Sequence, residues 1–595
     1  MNDDALYAFD LCHAYPLPGG RRLVRNPRNG RHALLTPDVY GALLGCRRFQ
    51  TLTDHAERLV SHNPALTGQE ADVRNVLASV RDDGLMISAD AYAVTLQPAA
   101  QPRVNVDKPV VAVITWERPD ALKRCLESVG QRVHPGNVGR FIVIDDSRTA
   151  EVCDANRATT ERFAECFEAP VLYLGASEQK GFMEAIIRQV RALEDQVRFL
   201  IDREHWADQW TSGLARTLAL LLSVGQRLIV LDDDIVCDIY EPEPRPGIGF
   251  AEDEREARFY AGQEEWAETP AADRQDPVAR HMALLGSELR DALGALGATR
   301  LDATAFAGAD LEVIERWRAD SPVLMTECGS LGDAGTGNLN WLATLRGDSL
   351  KALLNDEAAL DKALVERSCW LGQYRPHIVP RANMSQLTGV DNRGLMPPYT
   401  PILRGEDRLF GDMVEFLRPD GVIVDQPWAV AHLPMPARRW DEDQQRYDTN
   451  LPFDRYALGL VERARTSAQA RDPLKRLAEL ARIFELQADQ SVADIRKDYD
   501  DQRLRAMADD YGTLQGALDR SGDQAPEAWQ AFLGAGIETL NRALVRDPAA
   551  SPAKGEPAAL EGEALIQWWQ DYWVRFGRAL RAWPAIRQAA RQVQI

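Results

Sequence analysis

The sequence predicts an α/β protein in three parts: a small winged-helix-like α+β domain over residues 1–100, a Rossmann-like α/β domain over 105–445 and an all-α region over 446–595. Three observations carry that prediction. A hairpin signal, three helical patterns and a short apolar strand fill the first hundred residues. Beyond them, apolar runs of strand length stop on aspartates and alternate with amphipathic helices, as βαβ units around a parallel sheet do. In the last part the apolar positions keep helical spacing, as at Leu474, Leu477 and Leu480.

Composition narrows the classes. The 595 residues are 45% hydrophobic, enough for real cores, and 27% charged. A net charge of −21 makes a field that repels nucleic acid and anionic membrane, so neither is expected as a partner. The start, MNDDALYAFDL, is acidic where a secretory signal would be basic, and the longest apolar run, LALLLSV at 218–224, is too short to span a bilayer. Eight scattered cysteines include no CxxC pair, which indicates neither a zinc site nor a disulfide framework. A cytoplasmic protein with no membrane span is the expectation.

Residues 22–36, RLVRNPRNGRHALLT, set two short apolar segments around Asn-Pro-Arg-Asn-Gly, a turn cluster suited to a hairpin. Thr36-Pro37-Asp38 reads as a helix cap followed by proline in the first turn. Helical patterns follow at 38–46, 51–62 and 69–83, and Asp83-Gly84 leads into the strand-like LMIS. This order, in LVRNPRNGRHALLTPDVYGALL, DHAERLV and DVRNVLASVRDDGLMI, resembles the PqqD-like domains that recognise ribosomally made precursor peptides. The resemblance implies that a leader peptide adds as a strand to the hairpin edge and packs on a helix. A winged-helix DNA binder and a plain packing domain are the alternatives, and the acidic field disfavours the first.

After the connector AAQPRVNVDKP, Val110–Thr115 reads as a buried strand, Arg118-Pro119-Asp120 opens an amphipathic helix, and a second strand from Phe141 to Ile144 ends on Asp145-Asp146. The run RLIVLDDDIV at 227–236 does the same, stopping on Asp232, Asp233 and Asp234. Ligands of open α/β sheets bind at the carboxyl ends of strands, where these acids sit. Three adjacent carboxylates repel one another, which a bound cation or open water relieves.

VVAVITWERPDALKRCLESV with FIVIDDSR, and then GLARTLALLLSVGQRLIVLDDDIV at 213–236, resemble family 2 and related GT-A glycosyltransferases. The resemblance implies a GT-A nucleotide-sugar-binding domain, a nucleotide-diphosphate sugar as donor and Mn²⁺ or Mg²⁺ as cofactor. By position, Asp232 and Asp234 form the metal-binding DxD pair, with Asp234 preferred as the direct ligand and Asp233 lining the donor site. Asp145 or Asp146 would hydrogen-bond the base, and Thr115 and Arg118 would line the same pocket. Arg216 would approach the nucleotide or its phosphates, or sit on a helix surface. Residues 171–212 are longer than the family pattern, and Lys180-Gly181 within them lacks the phosphate-loop spacing.

Residues 238–322 read as a mostly helical insertion beside the acceptor region. GSLGDAGTGNLNWL at 329–342 reads as a flexible loop, or as one approaching the sugar or diphosphate through backbone N–H groups, with Asn338, Asn340 and Trp341 as pocket candidates. In PPYTPILRGEDRLFGDMVEF at 397–416, Glu406-Asp407 resembles the acidic dyad of inverting GT-A enzymes. The resemblance implies Asp407 as general base and Glu406 as an acceptor contact. His432, after the strand-like VIVDQPWAVAH, would complete the metal shell, since imidazole suits Mn²⁺. In the tail, Trp568, Trp569, Tyr572, Trp573 and Phe576 read as core or as an interface with the middle domain, with an aromatic carbohydrate-binding face as the alternative.

The expected reaction is inverting glycosyl transfer, with a precursor peptide as the acceptor implied by the first domain. A surface glycan or lipid-linked acceptor, with the first domain merely structural, is one alternative. An inactive transferase-fold scaffold that binds peptide or DNA is the other.

Overall fold

Val110–Thr115, Arg140–Asp145 and Arg227–Asp232 are apolar along nearly their whole length and buried on both faces, as strands inside a covered parallel sheet are. The computed structural model describes residues 4–593 except 104–105, 244, 253–254, 261–274, 383–385, 403, 442–448, 450–452, 523–524 and 546–559. In it the first strand pairs in parallel with both others. Register sets Thr115 beside Asp145 and Ile114 beside Asp232, so the three carboxyl ends finish level with one another.

These strands belong to a mixed sheet of 11 strands. Its main path runs Ile235–Tyr240, Val422–His432, Val323–Asp333, Leu387–Asp391, Arg227–Asp232, Val110–Thr115, Arg140–Asp145, Val171–Leu174. Leu387–Asp391 is antiparallel to both of its neighbours and joins a parallel half to a mixed half. Ile235 lies opposite His432 in the antiparallel pair at the far edge, which returns the chain after the aspartate triplet to that histidine.

Two stretches differ from the sequence expectation. Gly329 and Gly332 lie within the buried strand Val323–Asp333 rather than in a loop. A Cβ at Gly329 would come 2.6 Å from the Leu371 carbonyl oxygen, and one at Gly332, with φ +108°, 2.5 Å from that of His432. These glycines admit close neighbouring backbones. Asn338 caps a short turn by accepting from Asn340 N at 3.0 Å, and Trp341 stacks on Phe259 at 5.8 Å. In the insertion, Glu256–Phe259 is a strand paired with Ser368–Gly372, a partner more than a hundred residues away that local charge pattern does not reveal. Helices there are short: Pro277–Met282, Leu289–Ala295 and Leu311–Ile314. Residues 261–274 of the expected helical stretch lie outside the described residues.

Near the N-terminus, His13–Pro16, Arg22–Arg25 and His32–Leu35 form an antiparallel three-stranded sheet. Thr36 caps Pro37–Leu44, and a Thr51/Asp54 capping box opens Leu52–Ser61. Phe9, Val24, Leu43 and Leu77 make a local core. Phe49 and Tyr92 instead join Phe250, Phe306 and Trp317 of the middle region, and the Tyr92 hydroxyl donates to the Ile314 carbonyl at 2.5 Å.

Of the C-terminal helices, Pro473–Glu485 and Gly562–Gln592 cover one face of the sheet, while Glu527–Val545 packs in a separate core with Leu339, Leu342 and Leu353. Trp569, Trp573 and Trp583 of Gly562–Gln592 are fully buried in one core with Leu214, Leu218, Leu409 and Met413. Trp583 Nε1 donates to the Met396 carbonyl at 2.6 Å, and the Tyr572 hydroxyl meets that of Thr400. Among the described residues, no helix is long and apolar enough to cross a membrane.

Candidate active site

The aspartate triplet turns the chain from Arg227–Asp232 into Ile235–Tyr240, and each acid meets a different partner. Asp233 is buried; it accepts from Thr115 Oγ1 at 2.7 Å and lies 3.3 Å from Arg118 Nη1. Burial pushes its carboxyl up to about 7 against the pull of Arg118. Asp234 faces Arg118 Nη1 at 2.7 Å and His432 Nε2 at 3.2 Å. Burial alone would raise its carboxyl, but the His432 and Arg118 charges outweigh it and hold it well below the usual carboxylate range. His432 shows the reciprocal effect: burial lowers its imidazole, Asp234 raises it, and Asp234 wins. The other ring nitrogen, Nδ1, donates to the Asp333 carbonyl at 2.8 Å and so orients the ring.

Asp232 is joined to the second acidic piece through Arg216. This arginine lies on the buried helix Ser212–Leu222; its Nη2 is 3.0 Å from Asp232 Oδ1, and its Nε is 3.1 Å from Asp407 Oδ1 and 4.0 Å from Glu406 Oε1. Glu406 and Asp407 open the helix Glu406–Leu417, entered through Gly405 at φ +87°. Glu406 is buried, and burial with the Asp407 charge pushes its carboxyl up to about 7 against the Arg216 attraction. Asp407 remains partly exposed.

Asp145 and Asp146 part ways. Asp145 is fully buried, and its oxygens accept from Ser147 N, Asn156 Nδ2 and Tyr173 OH, which commits the carboxylate to holding the strand end. Asp146 accepts from Thr211 Oγ1 and pairs with Arg203 Nε at 3.6 Å. Burial raises its carboxyl against both. Between them and Thr115, Glu117 adopts φ +53°, unusual for a non-glycine residue. Its N–H donates to Ser147 Oγ at 2.8 Å and its carboxylate accepts from Thr149 N at 2.8 Å, which ties the 115–118 loop to the 145–149 loop.

Sequence reasoning missed several groups here. Trp116 and Trp210, 39% and 37% exposed, face each other at 5.5 Å, and the Arg404 guanidinium lies 4.3 Å over Trp210. Each is one residue along the chain from Thr115, Thr211 or Gly405. Trp116 was signalled by its place in the Thr-Trp-Glu-Arg-Pro loop; Trp210, Thr211 and Arg203 carried no local signal. Arg438 likewise comes in from beyond the last strand, donating to Asp333 Oδ2 at 2.8 Å.

Hard carboxylate oxygens and an imidazole are the donor set a Mn²⁺ or Mg²⁺ ion accepts. Five carboxyl groups, at 232–234, 406 and 407, meet the guanidinium groups of Arg118 and Arg216 and the imidazole of His432, so when ionised the acids outnumber these cations. Among the described residues, no three His, Cys, Asp or Glu side chains already converge as metal ligands. Asp234 pairs with His432, and Asp232 with Arg216, so ion binding requires these partners to separate.

No protein-family model matches the chain, and no curated protein matches it. Among solved structures it is similar to the mannosyltransferase PcManGT from Pyrobaculum calidifontis, in complex with GDP-Man and Mn²⁺. The TM-score is 0.27 and the identity 11%, over 82% of this chain and 90% of that one, a likeness too low to carry any inference about this chain.

Proposed function

We propose that the chain is a metal-dependent inverting glycosyltransferase that moves a sugar from a nucleotide-diphosphate sugar to a hydroxyl of a ribosomally made peptide. The observation that carries the reading is the meeting of Asp232–Asp234, Glu406, Asp407 and His432, from three distant segments, at the carboxyl end of a parallel strand set. Asp232, Asp234 and His432 would hold a divalent cation, which would neutralise the charge growing on the diphosphate. Asp407 takes the acceptor hydroxyl proton as that oxygen bonds to the anomeric carbon. The carbon–oxygen bond to the diphosphate breaks on the opposite face. Glu406 contacts the acceptor. Thr115, Arg118, Asp145, Asp146 and Asp233 shape the donor side, with Asp145 acting through the strand end it braces, and Arg216 stands between Asp232 and the Glu406–Asp407 dyad.

The peptide acceptor is supported by the N-terminal sheet. Tyr15, Leu23 and Leu34 align across its three strands, and Tyr15 and Leu34 are 47% and 50% exposed. Residues 13–35 include five arginines and no Asp or Glu in a chain of net charge −21. An extended segment with acidic and apolar side chains suits such a surface. A second reading makes this domain purely structural, favoured by the core that Phe49 and Tyr92 share with Phe306 and Trp317. Titrating the full chain with a precursor peptide encoded beside its gene separates the two.

The transferase reading is tested by thermal shift across nucleotide-diphosphate sugars with and without Mn²⁺, because a ligand of the native state raises its melting point. At least one donor is expected to stabilise the protein only with the metal, and Asp232→Ala with Asp234→Ala to abolish both that shift and turnover. Turnover undiminished in the double variant would overturn the site.

A further inference from the structure

Arg216 is the one charged residue of Ser212–Leu222, a helix in which every residue from Gly213 to Leu222 is buried. The side chain is itself nearly sealed from solvent, at 6% exposure. Burying a guanidinium is costly unless anions or other acceptors compensate it, and here the anions come from two other elements: Asp232 at 3.0 Å, Asp407 at 3.1 Å and Glu406 at 4.0 Å. Its Nη1 has no hydrogen-bond partner among the described residues. The cation therefore stands between the first acid of the triplet and the acid dyad, and it occupies one of the two carboxylate oxygens of Asp232, the residue a divalent ion would also use.

We propose that Arg216 is a resident counter-cation that holds Asp232 and Asp407 in register, competes with the incoming divalent ion for Asp232, and stays with Asp407 and Glu406 once that ion binds. This rests on the metal-dependent transferase reading above. Arg216 is thus a positioning residue for the base, and its presence weakens ion binding in the absence of nucleotide. Two cations that share one carboxylate oppose each other, so removing the fixed one favours the mobile one. A donor-phosphate contact would instead raise the donor KM on substitution, and a purely structural role would leave kcat unchanged in a folded variant.

The test is a Mn²⁺ titration of the nucleotide-free full chain, with free Mn²⁺ read by electron paramagnetic resonance. Arg216→Gln is expected to bind Mn²⁺ about tenfold tighter than wild type, while its kcat falls about a hundredfold at little-changed donor KM. Arg216→Lys keeps the charge but is too short to span both acids. It is expected to keep wild-type Mn²⁺ affinity within about twofold and to lose kcat at unchanged KM. Circular dichroism checks that each variant folds; should the glutamine variant fail to, a lysine variant with undiminished kcat overturns the proposal. Equal or weaker Mn²⁺ binding by a folded Arg216→Gln overturns it alone. Absence of Mn²⁺ binding in wild type and variants overturns the metal-site reading, and this proposal with it.

Discussion

Asp233 is where burial and charge disagree most openly. It has Thr115 and Arg118 for partners, yet burial pushes its carboxyl up to about 7 from an ordinary 3.8. The native state then binds more protons than the unfolded chain between those values, so stability falls as pH rises through that window. Glu406, also pushed up to about 7 by burial, contributes with the same sign. The raised His432 stabilises below its unfolded value of 6.5 and loses that contribution as pH rises through its folded value. Asp234, held low, contributes above 3.8 and loses that only in acid. The melting temperature of the metal-free protein is therefore expected to fall between pH 5 and 8, and Asp233→Asn to flatten the fall. Calorimetry in a chelator at several pH values checks this; an undiminished slope in the variant would refute it. The positions of these acids were legible because each ends a strand or starts a helix, a local signal. What Arg216 touches was not, since its partners come from residues 232, 406 and 407 through tertiary packing.

At the scale of elements, the site depends on how Ser212–Leu222 meets the segment before Glu406. Leu214 N donates to the Pro401 carbonyl at 3.0 Å, and Tyr399 N to Thr217 Oγ1 at 3.1 Å. Gly213 makes this approach feasible, because a Cβ there would lie 1.8 Å from the Thr400 carbonyl oxygen. Gly213→Ala must push the helix off that segment and pull Arg216 away from Asp407. A loss of about 1–3 kcal/mol in chemical denaturation is expected, the usual cost of overpacking, together with reduced turnover. Unchanged stability would mean that the helix and the segment are not locked. The βαβ strands were readable because each carries its own apolar run, whereas residues 329–333, the end of the strand Val323–Asp333, read by sequence as part of a loop. Its glycines are explained only by the backbones of Ser368–Gly372 and Val422–His432 alongside.

At the scale of the molecule, sequence periodicity separates a helical tail that the packing does not separate. Periodicity reports which face of a helix is apolar and nothing about what covers it. Here that face lies against the sheet: Trp573 shares a core with Leu214 and Met413, and the Tyr572–Thr400 and Trp583–Met396 bonds brace the approach to Glu406. The tail and the site-bearing helices should then unfold together. Trp573→Ala is expected to cost about 3–5 kcal/mol, typical of a fully buried tryptophan, and to lower the transition of the sheet and tail as one. A chain ended at residue 445 would expose the faces around Leu214, Leu409 and Met413 to water and is expected to lose cooperative melting and metal-dependent donor binding together. Calorimetry and thermal shift on both proteins decide the point: a truncated chain that melts sharply and still responds to donor with Mn²⁺ would show the tail to be an independent unit.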